Sequence, residues 1–567
     1  MVSKISAQKI VDVFQLFWKR FSLIERVISS ALVAIIVLES WILGSNFYYR
    51  NATIVPRQGG IIKEGMLGQP QFINPLYARS VTDKSLSSLV FAGLVGYNEK
   101  HELSPVLAER WEVSADKQNY KFYLRKDLQW SDGQPFTVAD VSYTLDVMHN
   151  PDYSESLKPA WDGVSIDKLD DWTLNFKLSR PSPNFLSVAT VGILPRYLWI
   201  DVAVRDFPKS SYNLNPIGLG PYRVDKMLQN KEGKIVSVTL SANKDFALGT
   251  PNILTAEMKF YDTKEALIAG FSDRDFTSFG IYSFDDKAVA KGAFGYSNHQ
   301  VNLPQYVGVF FNAKRPTALN DKIVRQALAY ATNKERINRV VNYGAGVVIN
   351  SPILPDYLGF NPNVKNYEYD KKKAVNMLSQ AGWLDQNRKG VREKDGKALA
   401  FEIIIQDDPQ FARLAEELAE MWGDIGVQLN IKKVDTATLE QQYVNGRNYD
   451  LIAIGESLGA DADPYSFWHS SQINYPGLNL AMWENGEADK LLEDARQTGD
   501  TDIKVKDYEK FQELVAEELP AILLYQPTYV YRIYGKVKGI DLSGISSATE
   551  RFFDIQDWYV KYDRVRG

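Results

Sequence analysis

Hydrophobic positions along this chain follow two different periods. Tyr120, Phe122 and Leu124 alternate with Lys121, Tyr123 and Arg125, the two-residue repeat of a half-buried strand. Leu174, Phe176 and Leu178 repeat the pattern, as do Phe401, Ile403 and Ile405, and then Val427, Leu429 and Ile431. Between these runs lie helical stripes. Ile323, Val324, Ala327, Leu328 and Ala331 share one face, Ala374, Met377, Leu378 and Ala381 another, and Leu414, Leu418, Met421, Trp422 and Ile425 a third. Gly382 and Gly426 stand where C-terminal caps belong. Strand and helix signals in alternation predict an α/β fold. The continuous apolar run Leu451-Ile452-Ala453-Ile454 reads as a buried strand.

One apolar run has neither strand nor amphipathic period. From Val27 to Phe47 the only charge is Glu39, and about 20 such residues span a bilayer as a helix. Upstream lie Lys4, Lys9, Lys19, Arg20 and Arg26 against Asp12 and Glu25. The positive-inside rule then puts residues 1–26 in the cytoplasm, 27–47 in the membrane and the body outside, at the cell surface or in a periplasm. Trp41, Phe47, Tyr48 and Tyr49 suit the outer interfacial belt. A cleaved signal peptide is the rival reading, but no Ala-x-Ala site follows directly. Residues 48–59, with Pro56 and Gly59 next to Gly60, read as a linker.

Composition narrows the function classes. The chain has 567 residues, enough for two or three parts, and its 45% hydrophobic content supports full cores. A net charge of −5 with no basic stripe disfavours nucleic acid. Cys is absent, which excludes disulfides, a thiolate metal site and a cysteine nucleophile. The four histidines, at 101, 149, 299 and 469, show no close ligand spacing, so no metal site and no cofactor is expected. No ATP-binding loop occurs in the sequence.

The stretch Gly455-Glu456-Ser457-Leu458-Gly459-Ala460-Asp461-Ala462-Asp463-Pro464 follows the buried run and sits where open α/β sheets bind ligands. Gly455-x-Ser457-x-Gly459 spells a hydrolase nucleophile elbow, which needs a helix directly after it. Pro464 and its turn-forming neighbours oppose that helix, and the only later histidine, His469, is too close for a separate triad loop. The carboxylates could instead capture a cationic ligand group without chemistry.

Several further segments occur together in one order. They are Pro105-Val106-Leu107-Ala108-Glu109-Arg110-Trp111, Trp130-Ser131-Asp132-Gly133-Gln134-Pro135-Phe136-Thr137-Val138-Ala139-Asp140-Val141, and Pro216-Ile217-Gly218-Leu219-Gly220-Pro221-Tyr222. Val324-Arg325-Gln326-Ala327-Leu328, Tyr369-Asp370 with Ala381-Gly382-Trp383, and Asp489-x-Leu491-Leu492 with Ala495-Arg496 follow. In these the chain resembles family 5 of the extracellular solute-binding proteins, those of dipeptide and oligopeptide ABC importers, from about Gly60 to Tyr525. Leu219 departs from the family's usual Thr.

The resemblance implies a bilobed clamp of the type II periplasmic-binding kind behind one N-terminal transmembrane helix. Lobe I is expected at 60–98, 207–311 and 525–567, a small inserted domain at 99–206, and lobe II at 312–524, with hinges near Phe311-Asn312 and Leu524-Tyr525. It implies a non-enzymatic, monomeric receptor that binds peptides between its lobes and serves an ABC permease and ATPase. A nickel chelate, sugar or opine-like solute, a peptide-sensing receptor or chaperone, and a serine hydrolase using Ser457 are the alternatives. Family members pair a loop Asp with the peptide α-amine. Asp461 is the candidate here and Asp463 the second, although Asp461 stands one residue nearer the Pro than is usual. Asn479 is expected to line the cleft, and Trp468 and Trp483 to wall side-chain pockets. The chain's 12 Trp, 31 Tyr and 27 Phe suit apolar pockets.

Overall fold

A computed structural model describes residues 18, 20–98, 102–155, 157–182, 185–282, 295–385, 390–458 and 463–566, without the side chains of 44–52 and 566. The chain divides into two compact units, Met1–Gly60 with Tyr559–Gly567, and Ile61–Trp558.

In the first unit a helix runs from Leu23 to Asn51. Within it Leu23–Leu43 is long and apolar enough to cross a membrane, with its side chains exposed. Glu25 opens the helix by accepting from the Ser22 amide at 2.8 Å, which places a carboxylate at the positive end of the helix dipole. The stretch expected as a linker is instead ordered. Ala52–Arg57 is a strand paired antiparallel with Lys561–Arg566 at the far end of the chain. Thr53, Ile54 and Val55 favour extended backbone, and Tyr562 and Val565 supply matching strand formers across the pair.

The second unit is built on three sheets of four or more strands. The largest has seven strands in the order Tyr296–Asn302, Thr528–Tyr534, Ser278–Tyr282, Ile61–Leu67, Thr255–Tyr261, Ile235–Ala242 and Tyr222–Gln229. A six-stranded sheet runs Val347–Val348, Ala521–Gln526, Gln305–Phe311, Leu451–Ser457, Ala400–Gln406 and Gln428–Val434. A four-stranded sheet comprises Ala108–Val113, Asn119–Leu124, Thr173–Leu178 and Val164–Lys168.

The chain passes between the two large sheets twice. Leu303-Pro304 joins Tyr296–Asn302 to Gln305–Phe311, and Pro527 joins Ala521–Gln526 to Thr528–Tyr534. Gln526 Nε2 donates to the Leu303 carbonyl at 2.9 Å, so the two passages are tied side by side. The crossings therefore differ from those expected near 311–312 and 524–525. Gln305–Phe311 belongs to the six-stranded sheet because Val307, Val309 and Phe311 fill the core on one side and Tyr306 and Phe310 on the other.

Local patterning was legible. Asn119–Leu124 buries Tyr120, Phe122 and Leu124. Thr137 and Asp140 form a reciprocal capping box at the start of Val138–His149. Asp370 caps Lys371–Gln380, and Gly382 follows in a left-handed conformation. Two stripe assignments shift. Ile323 lies on the exposed side of Lys322–Ala331. Ile425 is buried in the turn beyond Pro409–Gly423 rather than on that helix. Gly218 and Gly220 press against the end of the helix Val81–Val90. A Cβ at Gly218 would stand 1.9 Å from the Val90 carbonyl oxygen, and the Gly220 amide donates to that oxygen at 2.8 Å. Arg325 of the matched Val-Arg-Gln-Ala-Leu segment donates to the carbonyls of Leu319, Glu518 and Leu519. That ties one helix to the end of another, a structural role.

Candidate functional site

The strand Leu451–Ser457 lies inside the six-stranded sheet, antiparallel to Gln305–Phe311 and parallel to Ala400–Gln406. Its even-numbered residues Ile452, Ile454 and Glu456 share one face, by the two-residue repeat. Glu456 is 5% exposed. It stands directly opposite Tyr306, whose hydroxyl donates to Oε2 at 2.7 Å. Trp468 Nε1 donates in turn to the Tyr306 oxygen at 3.1 Å. Glu456 Oε1 has no hydrogen-bond partner among the described residues. Burial pushes the Glu456 carboxyl up to about 8, while the Tyr306 hydrogen bond and the Arg447 charge pull the other way. Glu456 was not among the residues the sequence reading proposed. Its signal was a carboxylate in phase with Ile452 and Ile454 on an apolar strand.

Ser457 is exposed at the strand's end. Among the described residues its hydroxyl has no histidine as a hydrogen-bond partner. His469 is engaged elsewhere. Its Nδ1 lies 2.8 Å from Ser471 Oγ, its Nε2 3.3 Å from a Glu493 carboxylate oxygen, and its ring stacks on Tyr465 with centroids 4.1 Å apart. Among the described residues, which do not include 459–462, the next helix after the strand is Tyr465–Trp468, one turn long and beginning after Pro464. The strained strand-to-helix elbow needs a helix much closer to the serine.

Asp461 lies outside the described residues, together with Gly459, Ala460 and Ala462. Asp463 resumes the chain, and its carboxylate is occupied. Oδ1 accepts from the Tyr465 amide at 3.0 Å, and Oδ2 accepts from Arg496 Nε at 2.6 Å. Arg496 also lies over the Tyr465 ring, 3.7 Å from its centroid. Asp489 holds the next turn by accepting from the Ser470 amide at 2.8 Å and from its hydroxyl. The matched segment from Asp489 to Arg496 thus braces the chain on the far side of the strand-end loop.

Asn479 is fully buried rather than lining a cleft. Its Nδ2 donates to the carbonyls of Trp483 at 2.9 Å, Trp468 at 3.2 Å and His469 at 3.2 Å, and its Oδ1 accepts from the Trp483 amide at 3.3 Å. Both donors are therefore spent on backbone. Trp468 and Trp483 are buried and meet edge to face at 6.4 Å. Phe310 and Phe511 pack against Trp468, so the indoles belong to a core cluster. Arg447, which the sequence reading also passed over, donates to the carbonyls of Val444, Ile473 and Gly477 and closes the loop before Asn479.

A cavity of about 460 Å³ lies elsewhere, lined among others by Phe91, Tyr97, Glu155, Leu157, Phe246 and Phe553. Asp463, Trp468, Asn479 and Trp483, the candidates among the described residues, do not border it. Its lining comes from the helix Val81–Val90 and the segments on either side of it, from the turns around Leu157 and Val188, and from the loops around Phe246 and Phe553.

These features define an α/β solute-binding protein fold. Residues 102–476 match the bacterial extracellular solute-binding proteins, family 5, and the chain belongs to that family. It is 30% identical over 499 residues to the oligopeptide-binding protein AppA of Bacillus subtilis strain 168, covering 85% of this chain and 89% of that protein. The structure of the oligopeptide-binding protein AppA from Bacillus subtilis in complex with a nonapeptide superposes with a TM-score of 0.74 at 28% identity. It covers 89% of this chain and all, 100%, of that one. NikZ from Campylobacter jejuni in complex with Ni(L-His) superposes with a TM-score of 0.70 at 28% identity, over 88% of this chain and 99% of that one.

Proposed function

We propose that this chain is an extracytoplasmic receptor that binds peptides and delivers them to an ABC importer. The observation that carries this reading is the 30% identity to an oligopeptide-binding protein across 85% of the chain. In this reading the seven-stranded and six-stranded sheets are the bases of two lobes. The tied crossings at Leu303-Pro304 and Pro527 are the hinge, and closure around the peptide excludes water. Asp461 takes the peptide α-amine. Asp463 is the poorer candidate because Arg496 and the Tyr465 amide already occupy it. A carboxylate–ammonium pair of this kind fixes the peptide's register more than it adds affinity, since both ions lose water. That suits a receptor that must release its cargo. The chain does no chemistry on its ligand, and energy comes from the ATPase of its partners. The helix within Leu23–Leu43 is the anchor, with the Lys/Arg-rich N-terminus inside.

Native mass spectrometry of the full chain, extracted from its own membranes, tests this. The expected result is a set of bound masses that fragment as peptides. A single non-peptide mass, such as a metal chelate or a sugar-derived acid, overturns the peptide assignment.

A further inference from the structure

The strand that follows the apolar helix pairs with the strand near the chain's C-terminus in a ribbon at the foot of that helix. That helix ends at Asn51, and the strand Ala52–Arg57 begins at the next residue. Its partner is the strand Lys561–Arg566. The register pairs Ile54 with Arg564, Pro56 with Tyr562, Val55 with Asp563 and Arg57 with Lys561. Residues opposite one another in an antiparallel pair project to the same side. One side therefore carries Ile54, Pro56, Tyr562 and Arg564, with no acidic residue. The other carries Thr53, Val55, Arg57, Lys561, Asp563 and Val565, where Arg57 and Asp563 pair at 3.6 Å. On the first side Ile54 and Tyr562 are exposed, and the Arg564 guanidinium lies 5.8 Å from the Tyr562 ring centroid. Over its twelve positions the ribbon holds Arg57, Lys561, Arg564 and Arg566 against the single Asp563, in a chain whose overall charge is −5. An aliphatic residue, a tyrosine and an arginine on one face is the composition of a bilayer–water interface, where amphipathic rings and basic groups settle at headgroup depth.

We infer that the face bearing Ile54, Tyr562 and Arg564 docks on anionic phospholipid headgroups beside the anchor. This inference rests on the helix being inserted in the membrane. Continuity places it there, because no residue separates the helix from the ribbon. Its charge selects acidic lipids, since each basic group near a negatively charged surface adds attraction that salt screens within a Debye length of about 10 Å at 0.1 M. The C-terminal strand is thereby a membrane-proximal element, and docking fixes the ribbon against the bilayer rather than leaving it free on a tether.

The absence of cysteine makes single-cysteine labelling clean. The full chain carrying Ile36→Cys, Ile54→Cys or Thr53→Cys is labelled with bimane and reconstituted in nanodiscs of phosphatidylcholine, with or without phosphatidylglycerol. Quenching is read from headgroup- and acyl-chain-spin-labelled lipids. The expected result is acyl-chain quenching at position 36, and headgroup quenching at 54 that exceeds that at 53 by roughly two-fold in acidic discs. Arg564→Glu or high salt should reduce the signal at 54 to the level at 53. Quenching at 36 but at neither ribbon position overturns the docking while leaving the anchor intact. Equal quenching at 54 in neutral and acidic discs overturns the lipid charge selection. Loss of quenching at 36 overturns the anchor and the docking together. Protection of position 54 only after a permease complex is added assigns the face to a protein partner and overturns the proposal.

Discussion

Arg496 reaches Asp463 with both Nε and Nη2, each 2.6 Å from the same carboxylate oxygen. One charge in the strand-end segment is thus neutralised by the protein itself, and the Asp463 side chain spends its other oxygen on the Tyr465 amide. The two carboxylates of the Asp461-Ala462-Asp463 segment should then separate by experiment. Asp463→Ala should lower the unfolding free energy by about 1–2 kcal/mol, the sum of a lost helix-start bond and a partly exposed ion pair. It should change peptide affinity by less than about three-fold, which is within 0.7 kcal/mol. Arg496→Ala should produce a smaller stability loss, because it removes the ion pair and leaves the Tyr465 amide bond, and the double variant should cost less than the two added together. Urea denaturation with a double-mutant cycle reads this, and strictly additive losses would refute the pairing.

Asn479 joins four backbone groups in the interior. Its removal should therefore appear as instability rather than as a change in ligand preference. Each buried group left without a partner costs about 1–3 kcal/mol. Asn479→Ala should lose about 2–4 kcal/mol in chemical denaturation, and Asn479→Asp should not recover it, because a carboxylate cannot donate to three carbonyls. A variant of wild-type stability with weakened peptide binding would return Asn479 to the cleft.

Glu456 gives the protein a pH dependence with a definite sign. Its carboxyl titrates at about 8 in the folded chain, well above the 4.5 of an unperturbed Glu. Between those two values the folded state holds a proton that the unfolded state has lost. Stability is then fully present below about pH 4.5, falls as pH rises, and reaches its lower level above about 8. The slope cannot exceed about 1.4 kcal/mol per pH unit from one proton. Glu456→Gln keeps an acceptor for Tyr306 and removes the titration. Measured against the wild type at several pH values, it should gain stability steadily from pH 5 to 8. Parallel curves for the two proteins would show that the Glu456 proton is not retained.

Much of the fold was readable because it is written in neighbouring residues. The alternation at Tyr120, Phe122 and Leu124 and the Thr137–Asp140 capping box depend only on residues a few positions apart. What the sequence hid depends on distant partners. Ala52–Arg57 looks like a linker until Lys561–Arg566, some five hundred residues later, supplies its hydrogen bonds. Gln305–Phe311 is apolar in either sheet, and only its pairing with Leu451–Ser457 and Ala521–Gln526 decides which one holds it. At the site, Asn479 and Asp463 are residue types equally able to hold a ligand or a turn. Burial and the carbonyls of Trp468, His469 and Trp483 decide the first, and Arg496 decides the second. Trp468 and Trp483 are large apolar rings that serve a core as readily as a pocket, and contacts with Phe310 and Phe511 place Trp468 in the core.

The central claim is that the ligand is a peptide held by its free amine at Asp461. Calorimetry of one peptide and its N-acetylated form, against the wild type and Asp461→Ala, tests it most directly. Removing one partner of a desolvated charge pair costs about 2–5 kcal/mol, so either change alone should weaken binding by roughly 30-fold or more. Because both delete the same interaction, the two together should cost little more than one. Undiminished binding of the acetylated peptide, or of any free-amine peptide to Asp461→Ala, would contradict the claim.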